Sequence, residues 1–192
     1  MSMALLTIWF TGALGAADAD SHGKFPGKGS IDAYSRSLHP GNKAVELAKQ
    51  GDIQGAIKLD SESISIYPYD SVTYHNLGNH LAKLGKFDEA RKAQEQAIAL
   101  EPNYVGAWIR LGRTYEKQHK LTDAERCYRR ANDIESSYET LEDLGDILRQ
   151  QGRFAEARKW LLRAKACPEE SQYRYADKYL ELCRQQSKEA SD

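Results

Sequence analysis

Apolar and small side chains follow a fixed order in the stretch from Ser71 to Tyr104. An aromatic residue, a Leu-Gly pair and a further leucine stand three or four residues apart, which places them on one face of a helix. These residues are Tyr74, Leu77, Gly78 and Leu81. A second amphipathic stripe follows Gly85, with Asp88 predicted as its N-cap and Pro102 marking its end. The stretch is therefore predicted to form a hairpin of two helices.

The same order returns on both sides of this stretch. A step of 34 residues carries Gly78 to Gly112, and a further step of 33 residues reaches Gly145. The first alanine of the second helix recurs in the same register, at Ala56, Ala90, Ala124 and Ala157. Small residues at these positions let two helices approach closely, because no large side chain separates them. Four consecutive hairpins are predicted, over residues 38–70, 71–104, 105–137 and 138–171.

This pattern resembles the tetratricopeptide repeat, which combines an aromatic residue, Leu-Gly, Tyr, Ala, a second aromatic residue, Ala and Pro. The third copy matches it at Trp108, Leu111, Gly112, Tyr115, Ala124, Tyr128 and Ala131. The resemblance implies an all-α fold, an α-solenoid of four tetratricopeptide helical hairpins. Beyond the repeats, Tyr175, Tyr179 and Cys183 have helical spacing, and residues 172–192 are predicted to form a capping helix and tail.

Two copies depart from the pattern. The first has Asp60 and Ser63 where an aromatic residue and Ala are usual, so it is expected to pack most loosely. The third has His119 at the position of the turn glycine. Its Thr122–Glu125 segment has the form of a capping box and predicts a helix start there.

Residues 4–17 form an apolar run that is too short to span a bilayer but has the length of a signal-peptide core. A small-x-small motif follows at Ala17–Ala19, so residues 1–19 are predicted to be a signal peptide of an exported or periplasmic protein. No Lys or Arg precedes the run, which leaves open an uncleaved anchor, a buried packing helix and a cytoplasmic location. Residues 20–37 are predicted to be a linker, because residues 20–30 are rich in Gly and Lys, and residues 31–39 are interpreted as a short transition or helical turn that leads into the first repeat.

Composition is that of an ordinary soluble protein, with 29% charged and 41% hydrophobic residues. The formal net charge of -1 gives no long-range attraction to nucleic acid or anionic lipid, so no nucleic-acid partner is expected. No stable membrane span is expected either, because the apolar run of residues 4–17 is too short. Cys127, Cys167 and Cys183 are predicted to be apolar packing residues, with a Cys167–Cys183 bridge left open. No catalytic, cofactor-binding or metal-binding motif is present, so no enzyme activity, cofactor or metal site is predicted.

The resemblance also implies a concave groove lined by the first helix of each hairpin. It assigns to a peptide-binding groove His75, Asn76, Asn79, Lys83, Arg110, Arg113, Lys117, Glu142, Asp143 and Asp146, with Ile109 and Gln150 on the same wall. Arg110 and Arg113 carry forked donors that suit a carboxylate of a bound peptide, whereas three carboxylates lie at the far end. The alternative is that these side chains are solvated or pair with one another.

Some family members hold a partner's C-terminal carboxylate with a clamp of Lys, Asn, Asn, Lys and Arg. Asn76 and Arg110 match its second Asn and its Arg, but Gly41, Val45 and Gly106 stand at the other three positions. The eukaryotic heat-shock tail is therefore not expected as a ligand. The sequence predicts a non-catalytic scaffold or adaptor that binds an extended peptide or a partner helix of another protein. The alternatives are a cytosolic adaptor like a co-chaperone and a structural subunit of an obligate assembly.

Overall fold

The computed structural model describes residues 28–167 and 175–189. Within these two ranges every regular element is an α-helix. In chain order they are α1 (Lys28–Lys49), α2 (Ile53–Ile66), α3 (Ser71–Lys83), α4 (Phe87–Leu100), α5 (Val105–Lys117), α6 (Leu121–Ile134), α7 (Tyr138–Gln150), α8 (Phe154–Lys165) and α9 (Tyr175–Glu189). The predicted signal peptide, residues 1–19, and the start of the predicted linker, residues 20–27, lie outside the described residues.

Helices α1 to α8 pack as four hairpins, in which each odd-numbered helix contacts the helix that follows it. The second helix of each hairpin also contacts the first helix of the next hairpin, and α3 contacts α5 directly. Helix α9 contacts α7 and α8 in the same way that α5 contacts α3 and α4. This is the arrangement of an α-solenoid, so the predicted fold of four hairpins with a capping helix is confirmed.

The close helix approach predicted at the glycines is present. A Cβ built on Gly78 would lie 3.2 Å from the carbonyl oxygen of Ala90, across the α3–α4 hairpin. A Cβ on Gly112 would lie only 2.6 Å from Cε1 of Tyr128, a buried ring on α6. Any side chain at position 112 would therefore displace this ring from the core.

The main apolar core runs through the third and fourth hairpins into α9. Tyr128, Leu144 and Leu161 have no exposed surface, and burying an apolar side chain of this size stabilises the fold by about 1.5 to 3 kcal/mol. On α9, Ala176 and Cys183 are both buried in the same cluster. Helix α9 therefore covers the apolar face that the last hairpin would otherwise expose.

In the first hairpin, hydrogen bonds occupy positions where the repeat pattern has apolar residues. Asp60 is completely buried, and its Oδ2 lies 2.6 Å from Nδ1 of His80 on α3. Burial raises the pKa of Asp60, while the hydrogen bond to His80 acts in the opposite direction. The hydroxyl of buried Ser63 donates to the carbonyl oxygen of Ser37 at 2.9 Å. Specific polar contacts thus connect α2 to its neighbours on both sides.

The linker predicted for residues 20–37 is wrong for residues 28–37, which form the first part of α1. Two contacts with the end of α2 explain this. The ring of Tyr34 packs edge-on against the ring of Tyr67 with a centroid distance of 5.3 Å, and Ser37 is buried. The Gly and Lys residues upstream suggested a linker, although Ile31, Tyr34 and Leu38 already have helical spacing.

Two helix starts differ from their predicted caps. Helix α4 follows Lys86 rather than Asp88, and α6 begins at Leu121 without the capping box predicted within Thr122–Glu125. In both hairpins the start is set by the preceding residue with positive φ, Gly85 at 75° or His119 at 58°. A capping box does form at the start of α7: the backbone N–H of Thr140 donates to Oγ of Ser137, and the backbone N–H of Ser137 donates to Oγ1 of Thr140.

The three cysteines are free thiols, buried at Cys127 and Cys183 and half-buried at Cys167. The described ranges contain no group of three or more His, Cys, Asp or Glu side chains placed to hold a metal ion. In the same ranges, no helix is both long enough and apolar enough to cross a membrane.

Candidate peptide-binding groove

The groove residues assigned from the sequence lie on α3, α5 and α7, the first helices of hairpins two to four. On α5, Arg110, Arg113 and Lys117 are three and four residues apart and share one helix face. Trp108 and Leu111 lie on the opposite face and pack toward the core. The wall formed by α3, α5 and α7 is called the concave groove below.

The α3–α5 half of this groove carries uncompensated positive charge. Lys83, Arg110 and Lys117 are exposed, and none of them makes a side-chain hydrogen bond or ion pair with any described residue. The amide of Asn76, which is half-buried on α3, is likewise without a side-chain partner among the described residues. These groups can therefore bind carboxylates and peptide groups without first breaking an internal contact.

His75 and Asn79 are joined to each other on the α3 side of the groove. Nδ2 of Asn79 lies 2.9 Å from Nε2 of His75, a contact in which the amide donates and the ring accepts. Burial and the positive charge of nearby Arg110 lower the pKa of His75 to about 4. The ring is therefore neutral at neutral pH, and Asn79 keeps its carbonyl oxygen and its second amide hydrogen for a ligand.

The Arg113 guanidinium is already bound by carboxylates of the protein. Its Nη2 donates to Oε1 of Glu139 and to Oδ2 of Asp143, each at 2.9 Å. Burial raises the pKa of Asp143 to about 7 although the Arg113 charge acts in the opposite direction. The structure thus assigns Arg113 to the contact between α5 and α7, where the sequence had assigned it to a ligand.

The carboxylates at the α7 end are also engaged within the protein. Asp146 accepts from Arg149 at 2.7 Å and from the amide of Gln150 at 3.0 Å. Glu142 accepts from the hydroxyl of Tyr138 at 2.9 Å. The α7 half is therefore an internally paired surface, in contrast to the α3–α5 half.

Ile109 does not line the groove, since only 6% of its surface is exposed and it packs in the main core with Tyr138 and Leu141.

Tyr104 is a groove residue that was not predicted from the sequence. Its ring centroid lies 5.0 Å from that of His75, and a Cβ on Gly106 would lie 3.1 Å from Tyr104 Cε2. The signal in the sequence was Gly106 itself, because a groove position without a side chain leaves room for a neighbouring ring.

Stacked helical hairpins of this kind serve as protein-interaction scaffolds. Two family models described as tetratricopeptide repeat match residues 69–135 and 129–171, which together exceed half of the chain. The chain belongs to the tetratricopeptide repeat family.

Solved structures with the same fold include several tetratricopeptide domains. The first such domain of Spaghetti (RPAP3), bound to the HSP90 peptide SRMEEVD, has 26% identity and a TM-score of 0.60 over 62% of this chain and 95% of that chain. The second domain of human RPAP3, in complex with the HSP70 peptide SGPTIEEVD, has 22% identity and a TM-score of 0.57 over 60% of this chain and 97% of that one. MamA from Desulfovibrio magneticus RS-1 has 17% identity and a TM-score of 0.65 over 71% of this chain and 78% of its own. A search of curated protein sequences gave no match.

Proposed function

We propose that this protein is a non-catalytic adaptor that binds an acidic segment of another protein, extended or helical, along the α3–α5 half of its concave groove. The observation that carries the proposal is that unpaired cations lie in one half of the groove and paired charges in the other. Arg110, Lys83 and Lys117 lack internal partners among the described residues, whereas Arg113 is bound by Glu139 and Asp143. An acidic ligand gains charge-assisted hydrogen bonds on the first side and finds only paired or negative groups on the other.

Arg110 is the central residue of this proposal. It lies close enough to His75 and Tyr104 for its charge to lower the pKa of His75. A ligand carboxylate bound to Arg110 would therefore lie beside the tilted pair of rings formed by His75 and Tyr104, with the Asn76 amide one helix away on α3. The Arg110 guanidinium can bind a ligand carboxylate with two parallel hydrogen bonds, and the two rings offer a surface to an apolar side chain. The arrangement therefore suits a ligand in which an apolar residue follows an acidic one.

The relatives support peptide binding but not the same peptide. The RPAP3 peptides end in the acidic sequence EEVD. This chain shares Asn76 and Arg110 with the clamp described above, but Gly41 packs toward Ser63 and Gly106 lies under Tyr104. With Val45 at a third position, three of the five cationic or amide contacts of such a clamp are absent, and we expect SRMEEVD to bind weakly or not at all.

A selection experiment tests the proposal. The full chain is immobilised and used to select binders from a random peptide library, beside an Arg110→Gln, Lys117→Gln variant and an Arg158→Gln, Lys159→Gln control. The control changes two exposed cations of α8 that have no partner among the described residues. Acidic peptides should be enriched by the parent and the control but not by the groove variant. Equal enrichment by all three proteins would contradict the proposal.

We also propose that the protein acts outside the cytoplasm. The support is the apolar run of residues 4–17 and the small-x-small motif at Ala17–Ala19. The test is N-terminal sequencing of the protein isolated from its native cells. A mature chain that begins at Asp20 supports export, and a chain that retains residues 1–19 supports an anchored or cytoplasmic protein.

A further inference from the structure

A cleft of about 460 Å³ opens on the side of α5 that faces away from the concave groove. It lies between α4 and α6, and its floor is apolar: Ile98, Trp108, Leu111, Tyr115 and Cys127. Arg126 and Arg130 of α6 stand at its rim. The indole Nε1 of Trp108 donates to the carbonyl oxygen of Pro102 at 2.9 Å, which fixes the orientation of this ring in the cleft wall.

In the next repeat, the furrow between α6 and α8 is equivalent to this cleft, and a side chain of the protein fills it. A step of 33 residues carries Cys127 to Trp160 and Arg130 to Arg163. Trp160 of α8 packs against the main core. The guanidinium carbon of Arg163 lies 4.6 Å from the centroid of the Trp160 ring, and that of Arg129 lies 5.9 Å away on α6. The furrow between α6 and α8 thus holds an indole covered by arginines.

Between α4 and α6 the small thiol of Cys127 stands in place of that indole. The charged neighbours of the cleft are mostly paired: Arg126 with Asp123 at 2.8 Å, and Glu95 with Arg91 at 2.7 Å. Arg130 is exposed and has no ion pair or ring contact with any described residue. It corresponds to the arginine that covers Trp160 in the following repeat.

We propose that this cleft is a second docking site, which accepts one aromatic side chain from a protein partner. The ring of the partner would occupy the volume that Trp160 occupies one repeat later, and Arg130 would cover it by a cation–π contact. An aromatic side chain in an apolar pocket is a common anchor of protein interfaces. Because the cleft and the concave groove lie on opposite faces of α5, this site does not depend on the acidic ligand proposed above.

The experiment compares two blocked pentapeptides, acetyl-GGWGG-amide and acetyl-GGLGG-amide, titrated into the ¹⁵N-labelled full chain by NMR. The tryptophan peptide should shift the amide signals of Tyr115, Cys127 and Arg130, and the leucine peptide should bind at least several-fold more weakly. Cys127→Trp should abolish binding because the new ring fills the cleft. Arg130→Gln, at an exposed position, should weaken it about two- to fivefold. Arg110→Gln, in the concave groove, should leave it unchanged.

Three results would overturn the proposal. The first is equal binding of both peptides, which would show a non-selective apolar surface. The second is unaltered binding to Cys127→Trp with native circular dichroism, or to Arg130→Gln if the tryptophan variant does not fold. The third is that neither peptide shifts any signal, while the chain self-associates and Cys127→Trp abolishes this self-association. That result would assign the cleft to a second copy.

Discussion

Nη2 of Arg113 lies 2.9 Å from Oδ2 of Asp143, and this contact joins the first helices of the third and fourth hairpins. Arg110 is three residues earlier on the same helix face and makes no such contact with the described residues. Two arginines that look equivalent in the sequence therefore have different roles. One stabilises the stacking of hairpins, and the other is available to a ligand.

Replacing Arg113 should affect folding more than binding. In Arg113→Gln the carboxylates of Glu139 and Asp143 lose their shared cation, which should lower the free energy of unfolding by about 1 to 3 kcal/mol. The matched change Arg110→Gln should alter it by less than about 0.5 kcal/mol, because no internal contact is lost. Urea unfolding followed by circular dichroism measures both. A larger effect at position 110 than at position 113 would contradict this assignment.

The His75 ring should remain neutral at pH values well below the usual pKa range of histidine. Its pKa is lowered to about 4 by burial and by Arg110, whereas an unfolded chain takes up this proton near pH 6.5. The His75 contribution to stability is therefore complete above pH 6.5 and is lost as the pH falls toward 4. NMR titration of the His75 ring measures the pKa directly. Over the same pH range, His75→Gln should show a smaller loss of stability than the parent, and an equal loss would count against this account.

The sequence was sufficient for the fold because its signal is repeated. Gly78, Gly112 and Gly145 mark the same close helix approach three times, and each has a neighbour that excludes a Cβ. The residues predicted to line the groove lie on α3, α5 and α7, except that Ile109 faces the core, and the ion pairs among them were not predicted. Whether Arg113 meets a ligand or Asp143 depends on side-chain positions between repeats 30 residues apart, which helical periodicity alone does not define.

The docking cleft was missed for a related reason. Cys127 and Trp160 both fit the pattern of the repeat, and the pattern does not record the volume that a small residue leaves open. The difference in size between Cys127 and Trp160 indicates a cleft only when the structure places both residues in equivalent furrows. The furrow at Trp160 is filled, and the one at Cys127 is open. The start of α1 was missed because tertiary packing of Tyr34 on Tyr67 outweighs the local composition upstream.

His119 should be replaceable by glycine with a gain in stability. It has a φ of 58°, in the region that Gly51, Gly85 and Gly152 occupy at the corresponding turns. This conformation costs a residue with a side chain roughly 1 to 2 kcal/mol, part of which is offset because glycine makes the unfolded chain more flexible. We expect His119→Gly to raise the free energy of unfolding by about 0.5 to 1 kcal/mol. Thermal unfolding of the two proteins checks this, and an unchanged or lower melting temperature would contradict it.

Gly112 should not tolerate even one added methyl group. The Cβ of an alanine would lie 2.6 Å from the Tyr128 ring, so Gly112→Ala should destabilise the fold by about 1 to 3 kcal/mol despite its better helix propensity. Gly41→Ala is the matched control, because its Cβ would meet nothing nearer than Ser63 Oγ at 3.4 Å. The control should be neutral or stabilising by up to about 1 kcal/mol. Similar effects of the two changes in urea unfolding would show that the packing at Gly112 is not as described.

The affinity of an acidic peptide from the library selection, measured by calorimetry, tests the central claim most directly. Three proteins are compared: the parent, Arg110→Glu with Lys117→Glu, and the control Arg158→Glu with Lys159→Glu. The groove variant should keep its melting behaviour, since both residues are exposed and unpaired among the described residues, but should lose about 30-fold or more in affinity. The control should bind as the parent does. Full affinity of the groove variant, or an equal loss in the control, would show that the α3–α5 groove is not the binding site.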